Sequence, residues 1–213
     1  MKEFLQSIRE EKYISKEKAA LAAAVILLVG IVLGIFAKWL DTTPVNNQLP
    51  LFTWLDLTDF LSRLTFWLVT ASCIAMFSSS PKFAALNVFA FFAGMVAAYY
   101  LYSRFAAGFF PRSYARIWMT ITVISPFLAW ACWYAKGEGK TAVLLSSLIL
   151  GTAAWSAVNT GFWYVNIVGI PEVILLFIMT AVLWRRNIKE SSIMIIIAFI
   201  TALILQNLLP FSF

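Results

Sequence analysis

The 213-residue chain contains no histidine and only two cysteines. Histidine is the commonest neutral-pH acid–base group and transition-metal ligand, so its absence excludes Ser–His catalysis and removes the usual ligand of transition-metal sites. Cys73 and Cys132 lie in apolar runs and form no C-x-x-C pair. The sequence also lacks the G-x-S-x-G, H-E-x-x-H and P-loop motifs. We therefore expect neither an enzyme nor a metal or other cofactor.

Charged residues are also few. They make up 12% of the chain, whereas hydrophobic residues make up 62%. Typical soluble domains are ~25% charged and ~45–50% apolar. This composition predicts an all-α, polytopic transmembrane helical bundle whose main partner is the lipid bilayer. The net charge of +6 therefore does not indicate nucleic-acid binding. In a membrane protein, the positions of Lys and Arg along the chain predict its orientation in the membrane.

The polar residues are concentrated at the beginning of the chain. Residues 1–18 carry five basic and four acidic side chains, and their apolar residues recur at roughly helical spacing. This pattern predicts a cytoplasmic amphipathic segment at the membrane surface. The apolar run that follows is too long for a signal peptide. Residues 19–213 show no linker and are predicted to form a single transmembrane bundle.

Seven apolar segments are predicted to cross the membrane, because a span needs ~20 apolar residues. They are approximately Ala19–Leu40, Thr58–Ser78, Phe83–Tyr102, Ala115–Ala135, Thr141–Val158, Ile167–Trp184 and Ser191–Leu208. The sixth is the least regular, since Pro171 and Glu172 are typical of a helix start. We expect a kinked helix from near Ile167. If Asn159–Pro171 is instead re-entrant, the chain has six spans.

The basic residues predict the orientation. With seven spans and a cytoplasmic N-terminus, eleven Lys and Arg lie inside and five lie outside. This distribution agrees with the positive-inside rule. The five outer residues are Lys38, Arg63, Arg104, Arg112 and Arg116. We expect a bacterial plasma-membrane protein with an external C-terminus.

The first span contains two pairs of small residues four positions apart, Ala20 with Ala24 and Gly30 with Gly34. Such strips allow another helix to approach closely. We expect them to pack within this bundle, and the alternative is docking to a transport subunit.

Polar residues near the outer ends of the spans are the candidate ligand-binding groups: Asp59, Arg63, Arg112, Arg116, Trp163 and Glu172. Asp56, Asp59 and Arg63 are spaced to share one helix face. Guanidinium groups suit carboxylate or phosphate. We expect Arg112 or Arg116 to reach a carboxylate of Asp56, Asp59 or Glu172 and to line a cavity for a zwitterionic or anionic solute. The alternatives are an ordinary helix start for the acids and snorkelling for the arginines.

The stretches Ser78–Lys82, Phe91–Tyr100 and Ser125–Gly137 resemble those of uncharacterised small polytopic membrane proteins of Gram-positive anaerobes. That family implies no particular activity. In size and span count the chain is also similar to the S components of energy-coupling factor transporters. This second resemblance implies solute binding and docking of the first helix to a transport subunit, which Ala20 and Ala24 match loosely.

These observations favour a membrane protein that binds a small solute on its outer side as part of a transporter. The alternative is a non-transporting membrane subunit or scaffold without a ligand site. An intramembrane enzyme is the third hypothesis.

Overall fold

The computed structural model describes residues 2–106, 108–160 and 165–208. Ten α-helices and one short hairpin account for most of them. The helices are α1 (Lys2–Ile8), α2 (Lys16–Thr42), α3 (Pro50–Trp54), α4 (Leu57–Ser62), α5 (Leu64–Phe77), α6 (Pro81–Phe105), α7 (Arg112–Trp133), α8 (Gly139–Ala157), α9 (Ile170–Leu183) and α10 (Ile188–Leu208). The strands β1 (Val158–Thr160) and β2 (Val165–Ile167) pair antiparallel between α8 and α9. The all-α prediction is confirmed apart from this hairpin.

Five helices in the described ranges are long and apolar enough to cross a membrane. They are α2, α6, α7 with the 3-10 turn that follows it, α8 and α10. This finding is compatible with a multi-pass membrane protein. The helices α5 and α9 are apolar but have only 14 residues each. At 1.5 Å per residue, such a helix covers ~21 Å of a ~30 Å hydrocarbon layer.

Two predicted spans differ from the observed elements. The segment Thr58–Ser78 is not one helix, because the backbone of Arg63 is extended and separates α4 from α5. Trp67 stabilises this break by donating its indole N–H to the carbonyl of Leu61 at 2.8 Å. The sixth segment does not begin near Ile167. The hairpin occupies that region, and α9 begins at Ile170. Pro171 is the second residue of this helix, and proline is favourable in the first turn because the N–H that it lacks would have no partner within the helix there.

Contacts between connections define two ends of the bundle. At one end, the backbone N–H of Lys12 donates to Ser79, and that of Glu138 donates to Ile8. We call this the Arg9 end, because the guanidinium of Arg9 donates to the carbonyls of Met76 (2.9 Å) and Trp133 (2.5 Å). These carbonyls lie at helix C-termini, where cationic donors are favourable. The amphipathic N-terminal segment is thus docked on the bundle's own connections.

The helices α2 and α6 pack through glycine. A Cβ at Gly30 or Gly34 would collide with the backbone carbonyl of Phe91 or Met95. A Cβ at Gly94 of α6 would in turn lie 2.5 Å from the carbonyl oxygen of Leu27. The two backbones therefore touch, as small-residue strips permit. The other two residues of the predicted strip, Ala20 and Ala24, are exposed on α2.

Candidate functional site

The opposite end of the bundle carries a buried ion pair, and we call it the Glu172 end. The guanidinium of Arg63 donates to Oε1 of Glu172 at 2.8 Å. The Glu172 side chain is only 1% exposed, and that of Arg63 is 28% exposed. The extended backbone at Arg63 turns the chain between two helices. This pair therefore joins the α4–α5 break to the first turn of α9.

Local sequence explains the position of Glu172. It lies in the first turn of α9, where a carboxylate interacts favourably with the helix dipole. Its Oε2 atom folds back against Gly169, and any Cβ at that position would collide with it. Oε2 is buried and accepts no hydrogen bond from the described part of the chain. Since buried polar atoms in proteins are normally hydrogen-bonded, this oxygen has unused capacity to accept a donor.

Two further carboxylates interact with the same guanidinium, Asp59 as a loose ion pair and Asp56 only through its charge. Asp59 lies 3.8 Å from Nη2 of Arg63. Asp56 has a left-handed backbone (φ 50°), which Asp tolerates better than most residues. Partial burial raises the pKa of Asp56, and the charges of Asp59 and Glu172 raise it further, whereas Arg63 opposes the shift. Arg63 therefore pairs closely with Glu172 and loosely with Asp59, while Asp56 is coupled to them only electrostatically, and we call these four residues the carboxylate cluster.

A cleft of about 500 Å³, lined by both polar and apolar side chains, adjoins this cluster. It lies between the end of α2 and the short helices α3 and α4. Its charged lining residues are Asp41, Asp56 and Asp59, and Gln48 and Thr58 also line it. The cleft and the carboxylate cluster share Asp56 and Asp59. The charged lining residues are therefore all acidic, and although Asp41 is paired with Lys38 and Asp59 loosely with Arg63, the remaining negative charge favours a ligand with a positive charge.

A buried lysine holds one wall of the cleft. Lys38 is 2% exposed and pairs with Asp41 at 2.7 Å, and the hydroxyl of Tyr99 also donates to Asp41 at 3.1 Å. The ammonium lies over the rings of Tyr99 and Phe109, with centroids 5.1 and 4.6 Å away. Cation–π contact and ion pairing together balance the buried charge. Asp41 is thereby fixed at the cleft.

The outer arginines occupy a different surface from the one predicted. Arg112 and Arg116 are exposed on α7, and neither forms an ion pair with a described carboxylate. Their positions are four residues apart, so they share one face of α7, and both side chains are exposed on it. The expectation that one of them would reach Asp56, Asp59 or Glu172 is wrong for this structure. Trp163 lies outside the described residues.

Sequence reasoning missed the roles of Lys38, Asp41 and Tyr99. The i,i+3 spacing of Lys38 and Asp41 near a helix end could have indicated their pairing. Nothing in the sequence indicated Tyr99, which comes from another helix. In the ranges that the structure covers, no three His, Cys, Asp or Glu side chains are arranged to hold a metal ion.

Comparison with known proteins leaves both resemblances as predictions. No family model, curated protein or solved structure matches the chain.

Proposed function

We propose that this is a seven-span protein of the bacterial plasma membrane that binds a small cationic solute at its external Glu172 end, as part of a transporter. The observation that carries the proposal is the carboxylate cluster beside the acidic cleft. Asp56 and Asp59 line the cleft and would bind the positive charge, while the buried Glu172, whose Oε2 accepts no hydrogen bond from the described residues, adds negative charge behind them.

The seven-span count is supported by the elements next to the two short helices. The helix α4 precedes α5, and the hairpin precedes α9, so each pair provides a longer crossing than the 14-residue helix alone. The eleven-to-five distribution of Lys and Arg favours the Arg9 end in the cytoplasm. This orientation leaves the acidic cleft facing the exterior.

The charge of the cluster supports a cationic solute over an anionic one. Three carboxylates and one guanidinium leave an excess of negative charge, so an added anion would meet repulsion, whereas an ammonium group would relieve it. The arginines that first suggested an anion, Arg112 and Arg116, lie on another surface. A solute with an ammonium group could be held by Asp56 and Asp59 without displacing Arg63 from Glu172.

A transport subunit would bind the exposed part of α2. Ala20 and Ala24 are exposed there, whereas Gly30 and Gly34 are already covered by α6. Small side chains permit close helix contact. These alanines lie in the half of α2 nearer the Arg9 end, which this orientation places towards the cytoplasm.

The alternative function is a non-transporting membrane subunit. The Arg63–Glu172 pair favours it, because the pair connects two parts of the chain that are 109 positions apart and would stabilise them without any ligand.

Thermal unfolding of the purified protein in neutral detergent separates these functions. Putrescine and choline are the cationic probes, and glutamate and phosphate are the anionic probes at matched ionic strength. We expect only cations to raise the melting temperature. A probe at ~100 times its Kd stabilises by about 2.7 kcal/mol, which is measurable.

The Asp59→Asn variant should lose this shift, whereas Glu138→Gln, which removes an exposed acid at the Arg9 end, should retain it. Equal shifts in both variants would indicate general charge effects. No shift with any probe would favour the scaffold.

Cysteine labelling tests the orientation. In a Cys73→Ala, Cys132→Ala background, Asn47→Cys should react with a membrane-impermeant maleimide in intact cells, and Glu138→Cys should react only after permeabilisation. The reverse pattern would place the acidic cleft inside and contradict the proposal.

A further inference from the structure

The ion pair between Arg63 and Glu172 uses only part of its bonding capacity. Nη1 of Arg63 donates to Oε1 of Glu172 at 2.8 Å, and Oε2 accepts no hydrogen bond from the described residues. Nη2 of the guanidinium is 3.8 Å from the carboxylate of Asp59, which exceeds hydrogen-bond distance. A guanidinium and a carboxylate can form two parallel N–H···O bonds, since their geometries match. In this structure the pair forms one of the two.

Asp59 and Glu172 compete for this guanidinium. The Asp59 side chain is 63% exposed, so solvent screens its attraction for Nη2. The Glu172 side chain is 1% exposed, and a buried oxygen without a donor carries a desolvation penalty. Neutralising Asp59 would remove the attraction that holds Nη2 away from Glu172. The guanidinium could then turn and donate to both oxygens of Glu172.

The position of the pair in the chain gives such a movement a consequence. Arg63 is itself the extended residue at which α4 ends and α5 begins. Glu172 lies in the first turn of α9, and its Oε2 rests against Gly169, which caps that helix. Val69 of α5 and Met179 of α9 belong to one buried apolar cluster, so the two helices already pack together. A second hydrogen bond between Arg63 and Glu172 would therefore fix the start of one helix against the start of the other.

We propose that a cation bound at Asp59 releases Arg63 to hold both carboxylate oxygens of Glu172, which fixes the start of α9 against the α4–α5 break. This inference rests on the proposed function, because that function supplies the cation. The ammonium group of the solute pairs with Asp59, and the guanidinium gives its second N–H donor to Oε2. Arg63 is thus a positioning residue that responds to occupation of the cleft without contacting the solute. By linkage, a stronger Arg63–Glu172 pair also strengthens cation binding.

Hydrogen–deuterium exchange of the full-length protein in neutral detergent, followed by mass spectrometry, tests the inference without any solute. Asp59→Asn removes the charge of Asp59 and keeps the shape of its side chain, so it should imitate the cation-bound state. The amide of Val173 donates to Gly169 at 3.3 Å in the first turn of α9, and residues 173–176 are the reporter. Their exchange should slow about tenfold in Asp59→Asn, as one more charge-assisted hydrogen bond would cause.

Matched variants separate this effect from a change in the charge of the cleft. Asp56→Asn removes a second acid of the cleft, which forms no ion pair with Arg63, and should leave exchange at residues 173–176 within about twofold. In an Arg63→Lys background, Asp59→Asn should not slow exchange, because an ammonium lacks the fork that binds both oxygens. Glu172→Gln serves the same purpose if Arg63→Lys cannot be purified, since an amide has one acceptor oxygen.

Unchanged exchange at residues 173–176 in Asp59→Asn would overturn the inference, and so would equal slowing in the Arg63→Lys background. Either result leaves the proposed function intact, because cation binding is measured separately by the melting temperature.

Putrescine makes the remaining distinction. In the wild type it should slow exchange at residues 173–176, and in Asp59→Asn it should add nothing. A rise in the wild-type melting temperature with unchanged exchange would overturn the inference alone. Slower exchange in Asp59→Asn, with no response of the wild type to putrescine in either measurement, would overturn the proposed function and with it the role of the cation.

Discussion

The close contact of α2 and α6 gives a sharp test of the packing. Gly34 lies against the backbone carbonyl of Met95, and backbone atoms cannot move aside as a flexible side chain can. In the Gly34→Leu variant, the whole side chain must therefore be accommodated by separating the two helices. Ala24→Leu on the same helix is the matched control, because Ala24 is exposed.

The magnitude follows from two opposing effects. Forcing extra carbon atoms into a packed contact costs up to about 3 kcal/mol. Replacing glycine by leucine within a helix gains about 1 kcal/mol in helix propensity. The net loss for Gly34→Leu is then about 2 kcal/mol. For a chain of this size, that corresponds to a fall in melting temperature of about 4–8 °C.

The assay is thermal unfolding of purified variants in one detergent, followed by intrinsic tryptophan fluorescence. Ala24→Leu should lie within about 2 °C of wild type, because exposed substitutions usually change stability by less than ~0.5 kcal/mol. The reasoning would be refuted if Gly34→Leu and Gly30→Leu both melted like wild type. It would also be refuted if Ala24→Leu were the more damaging change.

Three further predictions concern charged residues. Arg63→Met should destabilise the protein by about 3–5 kcal/mol in thermal unfolding, because it leaves the buried Glu172 carboxylate unpaired. The double variant Arg63→Met, Glu172→Gln should recover part of this loss, because it removes the unpaired charge. Arg9→Ala should cost about 2 kcal/mol through its hydrogen bonds to two helix-end carbonyls, whereas Lys16→Ala should cost less than ~0.5 kcal/mol. Folding raises the pKa of Asp56 above 3.8, so its stabilising contribution is complete below that pH and is lost as the pH rises through the folded-state pKa. Asp56→Asn should therefore melt higher than wild type at neutral pH, and melting curves below pH 3.8 should coincide.

The boundaries of the long helices could be predicted from the sequence. The predicted segments for α2, α6, α7, α8 and α10 end within three residues of the observed helices. Long apolar runs determine these helices, because a backbone in lipid must satisfy its hydrogen bonds internally. Short polar or glycine-containing connections such as Lys136–Lys140 end them. These signals are local, so composition and spacing suffice to read them.

The starts of the two short helices, α5 and α9, could not be predicted from the sequence because tertiary contacts determine them. The break at Arg63 lies within an apolar, helix-compatible run, and the contacts that maintain it come from Trp67 and from Glu172, which is 109 positions away. The hairpin before α9 likewise depends on pairing between Val158 and Ile167. Helical periodicity carries no information about such pairings.

At the candidate site, the sequence identified some of the residues, but only the tertiary structure showed which of them are in contact. The sequence alone identified Asp59, Arg63 and Glu172 as polar groups near the ends of apolar segments, since such groups are costly in a membrane. The sequence analysis also placed Arg112 and Arg116 in the same candidate site, because all five residues were predicted to lie on the outer side of the membrane. Only the tertiary structure decided which of these residues meet. The direction of each side chain depends on the rotation of its helix against its neighbours, and the packing of those neighbours sets that rotation.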